Sequence, residues 1–289
     1  MKNIEVKGHS GCQIDVVQED GSIFVYKSTA DPKYLNRLIL QAEKQKAAAK
    51  VPYQHIRVPE IYGIESDDHT TVIKMQYVYS KNFIEFFEQA GFEQIDYLVG
   101  ALEYFIEYEI SQCELQTVSA KVFQNKFFEI REKVEKNPIF ALDNTVSDII
   151  HRSEEIFFGM EDWLVPVGLC HGDLTFSNIL FNGNNYYLID FLDSFVETPL
   201  QDIVKIRQDT RYRWSQLMYT KRFDDVRLRI VCDKIDKEID TYFTQKHRWY
   251  GDYYKRMQLM NILRILPYAH EERVIAYLKT ILNELLHEI

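Results

Sequence analysis

The stretch CHGDLTFSNILFNGNNYYLIDFLDS, Cys170 to Ser194, gathers a histidine, three aspartates and Asn178 around what reads as a hairpin. Asn182 and Gly183 begin a turn between the apolar runs NILF and YYLID, each of strand type. Folding that hairpin brings Asn178, just before its first arm, close to Asp190, at the end of its second. An amide and a carboxylate facing one space suit a hard divalent ion such as Mg²⁺, which completes its octahedron with water and phosphate oxygens. Asp173 lies five residues before Asn178, so a short loop can set it opposite that pair, facing an incoming hydroxyl. It is the candidate base.

Those residues need a scaffold, and the first ~80 positions carry strand signals. IEVKG, QIDVVQ and IFVYKS alternate, with an Asp20–Gly21 turn between the last two. In DPKYLNRLILQAEKQKAAAK, Asp31 can cap a helix and Pro32 fits its first position. RVPEIYGIE and TTVIKMQYVY then read as two extended segments. From Ser80 the period becomes helical, with Ile95, Leu98, Val99, Leu102, Phe105 and Ile106 on one stripe. Further helices are expected in SAKVFQNKFFEIREKVEK and DNTVSDIIHRSEEIFFG, and again from DDVRLRIVCDKIDKEIDTYF to the end. VGLC, just ahead of the histidine, reads as a short buried strand. The domains expected are 1–79, mostly sheet, and 80–289, mostly helix.

The 289 residues are 46% hydrophobic and 27% charged, a globular composition. A net charge of −10 opposes a polyanion as main partner, so no nucleic acid is expected. The basic run Lys205, Arg207, Arg211 and Arg213 reads as a solvated helix face. MKNIEVKGHS lacks the apolar stretch of a signal peptide, and no run approaches the ~18 apolar residues of a membrane span. A soluble cytoplasmic protein with no membrane partner is expected. The four cysteines have no metal-ligand spacing and read as reduced thiols. Cys170 adjoins His171, but neighbours on a strand point to opposite faces, which opposes a Cys–His nucleophile.

His-x-Asp-x4-Asn followed by a hairpin and an aspartate is also the catalytic-loop arrangement of kinases. His171-Gly172-Asp173 with Asn178, then Ile189-Asp190-Phe191, resembles the aminoglycoside phosphotransferase and choline kinase branch of the protein-kinase-like superfamily. In that branch Gly commonly replaces the Arg of protein kinases. The resemblance implies an α+β, protein-kinase-like bilobal fold, with a small, mostly antiparallel β N-lobe and a larger, mainly α-helical C-lobe. It implies that Lys27 in IFVYKS contacts nucleotide phosphates and pairs with Glu43 in LQAEKQ on the next helix. KGHSGCQ would supply a phosphate loop, with Gly8 and Gly11 admitting close backbone approach and Ser10 adding a hydroxyl. Gln76 to Val78 take the place of the adenine-holding connector. ETPLQDIVKI resembles the Pro-x-x-Asp segment, in which Asp202 anchors the catalytic loop, and His171 takes a supporting rather than catalytic place. Asp193 stays open between a second metal ligand and a solvated carboxylate.

The reaction so implied is transfer of the γ-phosphoryl group of ATP, with Mg²⁺, to a hydroxyl of a small molecule: a sugar, aminoglycoside or amino alcohol, a sugar-type metabolite first among them. The alternatives are a protein Ser/Thr kinase of the same fold and a nucleotide-binding scaffold without turnover. Gly172 in place of Arg, and the absence of Asp-Phe-Gly and Ala-Pro-Glu, oppose the former.

Overall fold

A computed structural model describes residues 4–7 and 12–289. In chain order the first elements are β1 (Ile4–Lys7), β2 (Gln13–Glu19), β3 (Ser22–Thr29), α1 (Leu35–Ala48), β4 (Ile56–Arg57), β5 (Ile61–Ser66) and β6 (Thr71–Gln76). Next come α2 (Phe83–Gln89), α3 (Phe92–Ser111), β7 (Glu114–Val118), α4 (Ala120–Glu135), α5 (Asn144–Phe158), β8 (Trp163–Val167), β9 (Ile179–Asn182) and β10 (Asn185–Leu188). The chain closes with α6 (Pro199–Thr210), α7 (Trp214–Leu217), α8 (Asp225–Lys246), α9 (Arg248–Leu263) and α10 (Glu272–Glu288). This is a protein-kinase-like α+β fold, with an antiparallel sheet early in the chain and helices dominating the rest. No helix among the described residues is long and apolar enough to cross a membrane.

The chain divides into two compact units, Met1–Phe105 with His171–Asp193, and Ile106–Cys170 with Ser194–Ile289. In the first, five antiparallel strands run in the order β1-β2-β3-β6-β5. The β2–β3 turn is Asp20-Gly21 with φ of 46° and 81°, the double positive φ that matches the twist of a two-residue hairpin. α1 lays Leu38 and Ala42 on Ile73 and Met75 of the sheet and on Cys12, just before β2. It begins at Leu35 rather than Pro32: the Asp31 carboxylate accepts from Lys33 N–H at 2.9 Å and its carbonyl from Tyr34 N–H at 2.8 Å, forming a separate turn first.

The segment expected to be one strand at RVPEIYGIE is two. Pro59 has no N–H to give a ladder, and it separates β4 from β5. β4 leaves the large sheet and pairs in parallel with β10, so that β4-β10-β9 form a second small sheet. Rings from α2 brace this sheet: Phe86 stacks on Phe181 at 4.5 Å and Phe83 lies 5.9 Å from Phe176.

The second unit is built on α6, capped by the Thr198 hydroxyl and opened by Pro199. Its basic residues are not a solvated face. Arg207 is fully buried, because its guanidinium is matched by Asp236, Asp240 and the Tyr250 hydroxyl. The strand expected at VGLC lies earlier, at β8, where it pairs with β7, a strand that the alternation signal did not mark. Gly168 ends it at φ 152°, where a Cβ would meet the Cys113 backbone at 3.2 Å.

Candidate active site

The first unit contains the loop and hairpin that carry the candidate residues. Pairing of Ile179 with Leu188 sets the hairpin register. One step further, the Ile189 amide donates to the Asn178 carbonyl at 3.0 Å, which closes the ladder directly beside Asp190. The buried Asn178 side chain turns back, and its Nδ2 donates to both the carbonyl of Asp173 (2.8 Å) and its Oδ2 (2.9 Å). This spends the amide nitrogen on orienting Asp173 and leaves the amide oxygen, Oδ1, for a cation. Asp190 has φ 61°, a left-handed conformation that costs a non-glycine residue about 1–3 kcal/mol and persists where the surroundings enforce it.

Part of that enforcement is Lys27. From β3 its Nζ reaches Asp190 Oδ1 at 2.8 Å, across 163 positions of sequence. Lys27 is 5% exposed. Burial opposes its charge, but the attraction and hydrogen bond of Asp190 outweigh burial and hold the ammonium above its ordinary value. Glu43 does not meet it. α1 buries Leu38, Gln41, Ala42 and Gln45, and at 100° per residue this turns position 43 outward, where Glu43 is exposed beside Lys46 at 3.8 Å. The pairing of Lys27 with Glu43 is therefore corrected to Lys27 with Asp190. The helix residue that sequence reading passed over is Lys44, whose Nζ donates to the Leu192 carbonyl at 2.7 Å. Its only signal was adjacency to Glu43.

His171 is fully buried, and both ring nitrogens are occupied. Nδ1 accepts from the Asp173 amide at 3.2 Å, so Nε2 carries the proton and donates to the Ile189 carbonyl at 2.9 Å. Burial pushes its pKa down to about 4, and the imidazole is neutral at pH 7. Phe191 packs on the ring at 4.2 Å. Gly172, between His171 and Asp173, sits at φ 88°, and a Cβ there would lie 2.1 Å from the Leu192 carbonyl oxygen. The same loop closure is held by Leu192 N–H donating to the His171 carbonyl at 2.9 Å. No side chain fits at 172.

Of the other expected residues, Gln76 ends β6; its N–H donates to the Glu60 carbonyl at 2.9 Å, while Val78 just beyond is buried. Ser10 and Gly11, with Gly8, lie outside the described residues. Asp202 is in the first turn of α6 in the second unit and fully buried. Asp193 is exposed. Among the described residues no group of three or more His, Cys, Asp or Glu could hold a metal ion by itself. One amide oxygen and one carboxylate, Asn178 and Asp190, fit instead a Mg²⁺ that keeps water and substrate phosphate as its remaining ligands.

Residues 141–234 match the sequence model of the phosphotransferase enzyme family, a span that includes the whole loop and hairpin. The resemblance read from His171 to Phe191 is to that same family. No curated protein matches the sequence. Among solved structures, this chain is similar to a thermostable mutant of the aminoglycoside phosphotransferase APH(4)-Ia at 10% identity and a TM-score of 0.61, covering 100% of this chain and 94% of that one. It is similar to the amicoumacin kinase hAmiN, solved with AMP-PNP, Ca²⁺ and Ami, at 11% identity and TM-score 0.64, covering 99% and 88%. A third likeness is to an aminoglycoside phosphotransferase of the APH(2") class in complex with GDP and kanamycin, at 16% identity and TM-score 0.61, covering 99% and 93%.

Proposed function

We propose that this protein is an ATP-dependent phosphotransferase that moves the γ-phosphoryl group to a hydroxyl of a small molecule, a sugar-type metabolite first among sugars, aminoglycosides and amino alcohols. The observation that carries the reading is the double hydrogen bond from Asn178 to Asp173, with Asp190 one ladder step away. It orients the Asp173 carboxylate beside a two-oxygen cation site, as transfer from a metal-bound phosphate to a hydroxyl requires. The match to the phosphotransferase family over this segment, and the nucleotide complexes of similar structures, support it.

In this reading Asn178 and Asp190 hold Mg²⁺, which when bound neutralises charge on the phosphates. Lys27 contacts the phosphates, and Gln76 to Val78, with Ser10 and Gly11, line the nucleotide. Glu43 is left out, since it faces solvent. Asp173 accepts the acceptor hydroxyl's proton or orients it. His171 holds the loop through both nitrogens, and Asp202 keeps a structural place at the start of α6. Asp193 stays solvated. Gly172 favours this class over protein kinases, because the position that carries their arginine has no room for a Cβ.

Asp173→Asn tests the role assigned to the carboxylate. Turnover should fall by about 10²- to 10⁴-fold with nucleotide affinity nearly intact. Acceptors are sought by incubating a panel of hydroxyl compounds with ATP and Mg²⁺ and reading phosphoryl addition by mass spectrometry. Undiminished turnover in the variant would sink the role of Asp173. ATP and Mg²⁺ that bind without any product would favour a scaffold.

A further inference from the structure

The basic run that stood out in the sequence does not enter the proposed reaction, yet two of its four residues, Arg211 and Arg213, line a cavity of about 600 Å³ in the second unit. That volume is in the range of small-molecule sites. The cavity lies at the C-terminal end of α6, about 18 Å along that helix from Pro199. Arg207 takes no part in it, being consumed by its own buried carboxylates. Arg211, Arg213 and Arg273 line it.

The donors in the cavity are not all spent. Arg211 bonds Glu288 through one nitrogen, and Arg213 bonds Asp233 through one, at 2.8 Å. Arg273 donates to the Leu217 carbonyl at 2.9 Å and has no ion-pair partner among the described residues. Arg213 Nε and the Tyr212 hydroxyl are buried with no hydrogen-bond partner, and so is the Gln216 carbonyl oxygen. Burial pushes the Tyr212 hydroxyl up to about 12, so it remains a donor at neutral pH. Buried polar atoms left without a partner carry a desolvation penalty that a ligand pairing them relieves. Arg213 has φ 56°, a strained conformation for a side chain of its size. The strain is held by Ser215, whose amide and hydroxyl both bond Asp209 at 2.9 Å. On the cavity wall the rings of Tyr219 and Phe223 meet edge to face at 5.8 Å.

We propose that this cavity binds an anionic sugar. A phosphate or carboxylate would pair with Arg273 and Arg213, hydroxyl groups with Tyr212 and Gln216, and the C–H face of the ring with Tyr219. Guanidinium forks favour planar or tetrahedral oxyanions, and aromatic faces favour the apolar side of a pyranose over bulk water. Glu284, the one carboxylate on the wall, accepts hydroxyls and disfavours a bare polyanion such as triphosphate. The inference stands on the second unit alone and does not depend on the phosphotransfer reading.

The test is calorimetric titration of the full chain with a hexose 6-phosphate, a hexuronate, the neutral hexose and inorganic phosphate. Saturable binding of an anionic sugar is expected, and the first two arms tell phosphate from carboxylate. Arg273 is exposed, so Arg273→Gln keeps the fold and should weaken that binding by about 10- to 100-fold, the worth of one charge-assisted hydrogen bond. Asp173→Asn should keep wild-type affinity. Equal binding of the neutral hexose or of inorganic phosphate, no saturation at millimolar concentrations, or an Arg273→Gln protein that binds as wild type would each overturn the proposal.

Discussion

Among the described residues, Arg207 in one unit and Lys27 in the other are cations buried against carboxylate partners, and the two are finished differently. Arg207 donates through Nε and Nη2 to Asp236 and through Nη1 to Asp240 and Tyr250, and its guanidinium lies 4.4 Å from the Tyr254 ring centroid. Burial opposes its charge, but these neighbours outweigh burial and hold it protonated. Lys27 bonds a single oxygen of Asp190, a residue whose side chain is 36% exposed and whose backbone is strained. The first arrangement has little left to offer a ligand. The second keeps open valences on both carboxylate and ammonium, as the metal and phosphate site proposed above would require.

The contrast should break most visibly in paired apolar replacements. Arg207→Met strands the carboxylate of Asp236, 17% exposed, whereas Asp240 at 46% can hydrate; the loss should be about 3–5 kcal/mol, read as a shift in the urea midpoint, with folded protein retaining nucleotide affinity. Lys27→Met leaves Asp190 able to hydrate, so stability should change by no more than about 1 kcal/mol while turnover falls about 10²- to 10³-fold. Equal losses of stability in the two variants would erase the difference drawn between them.

His171 puts a finished arrangement inside the unfinished region, and pH is the probe of it. Its folded pKa of about 4 lies below an unfolded value near 6.5, because burial penalises the imidazolium. Between those values the unfolded chain binds the proton and the folded one does not. Stability is therefore full above pH ~6.5 and is lost as pH falls towards 4, by about 3 kcal/mol in all. His171→Gln lacks this proton, so the advantage of wild type over the variant should shrink by that amount across the window, in denaturant midpoints taken at half-unit steps. Parallel curves would place His171 in a more open setting than its burial and two hydrogen bonds describe.

What the sequence made legible follows the reach of each interaction. The β9–β10 hairpin and the Asp20-Gly21 turn are local, and Asn178 beside Asp190 follows from hairpin arithmetic alone. The parallel pairing of β4 with β10 joins segments about 130 residues apart and has no local signal. Lys27 and Asp190 are 163 positions apart, and only the resemblance to a family placed the two in one site. β7 is almost wholly exposed, with Glu114 to Thr117 all open to solvent, so it lacks the alternation that marks a half-buried strand. The cavity beside Arg213 was foreshadowed by a run of basic letters, but not its strained backbone or its unpaired atoms.

The smallest expected effect is at Glu43, and it sharpens the comparison on a single helix. Positions 43 and 44 differ by 100° of helical rotation, which a sequence reading good to a few residues cannot resolve. The structure gives them opposite surroundings: Glu43 faces solvent beside Lys46, while Lys44 is tied to the carbonyl that closes the loop next to Asp190. A surface pair spaced i, i+3 is worth about 0.2–0.5 kcal/mol. Glu43→Gln should therefore stay within that margin in stability, with KM for ATP and kcat unchanged. If Lys27 required a helix glutamate for the phosphate contact proposed for it, the same substitution would raise KM for ATP or lower kcat well before it moved the melting temperature. An unchanged Glu43→Gln enzyme would show that Lys27 is positioned by the Asp190 loop, and that charge in this site is organised from the hairpin rather than from α1.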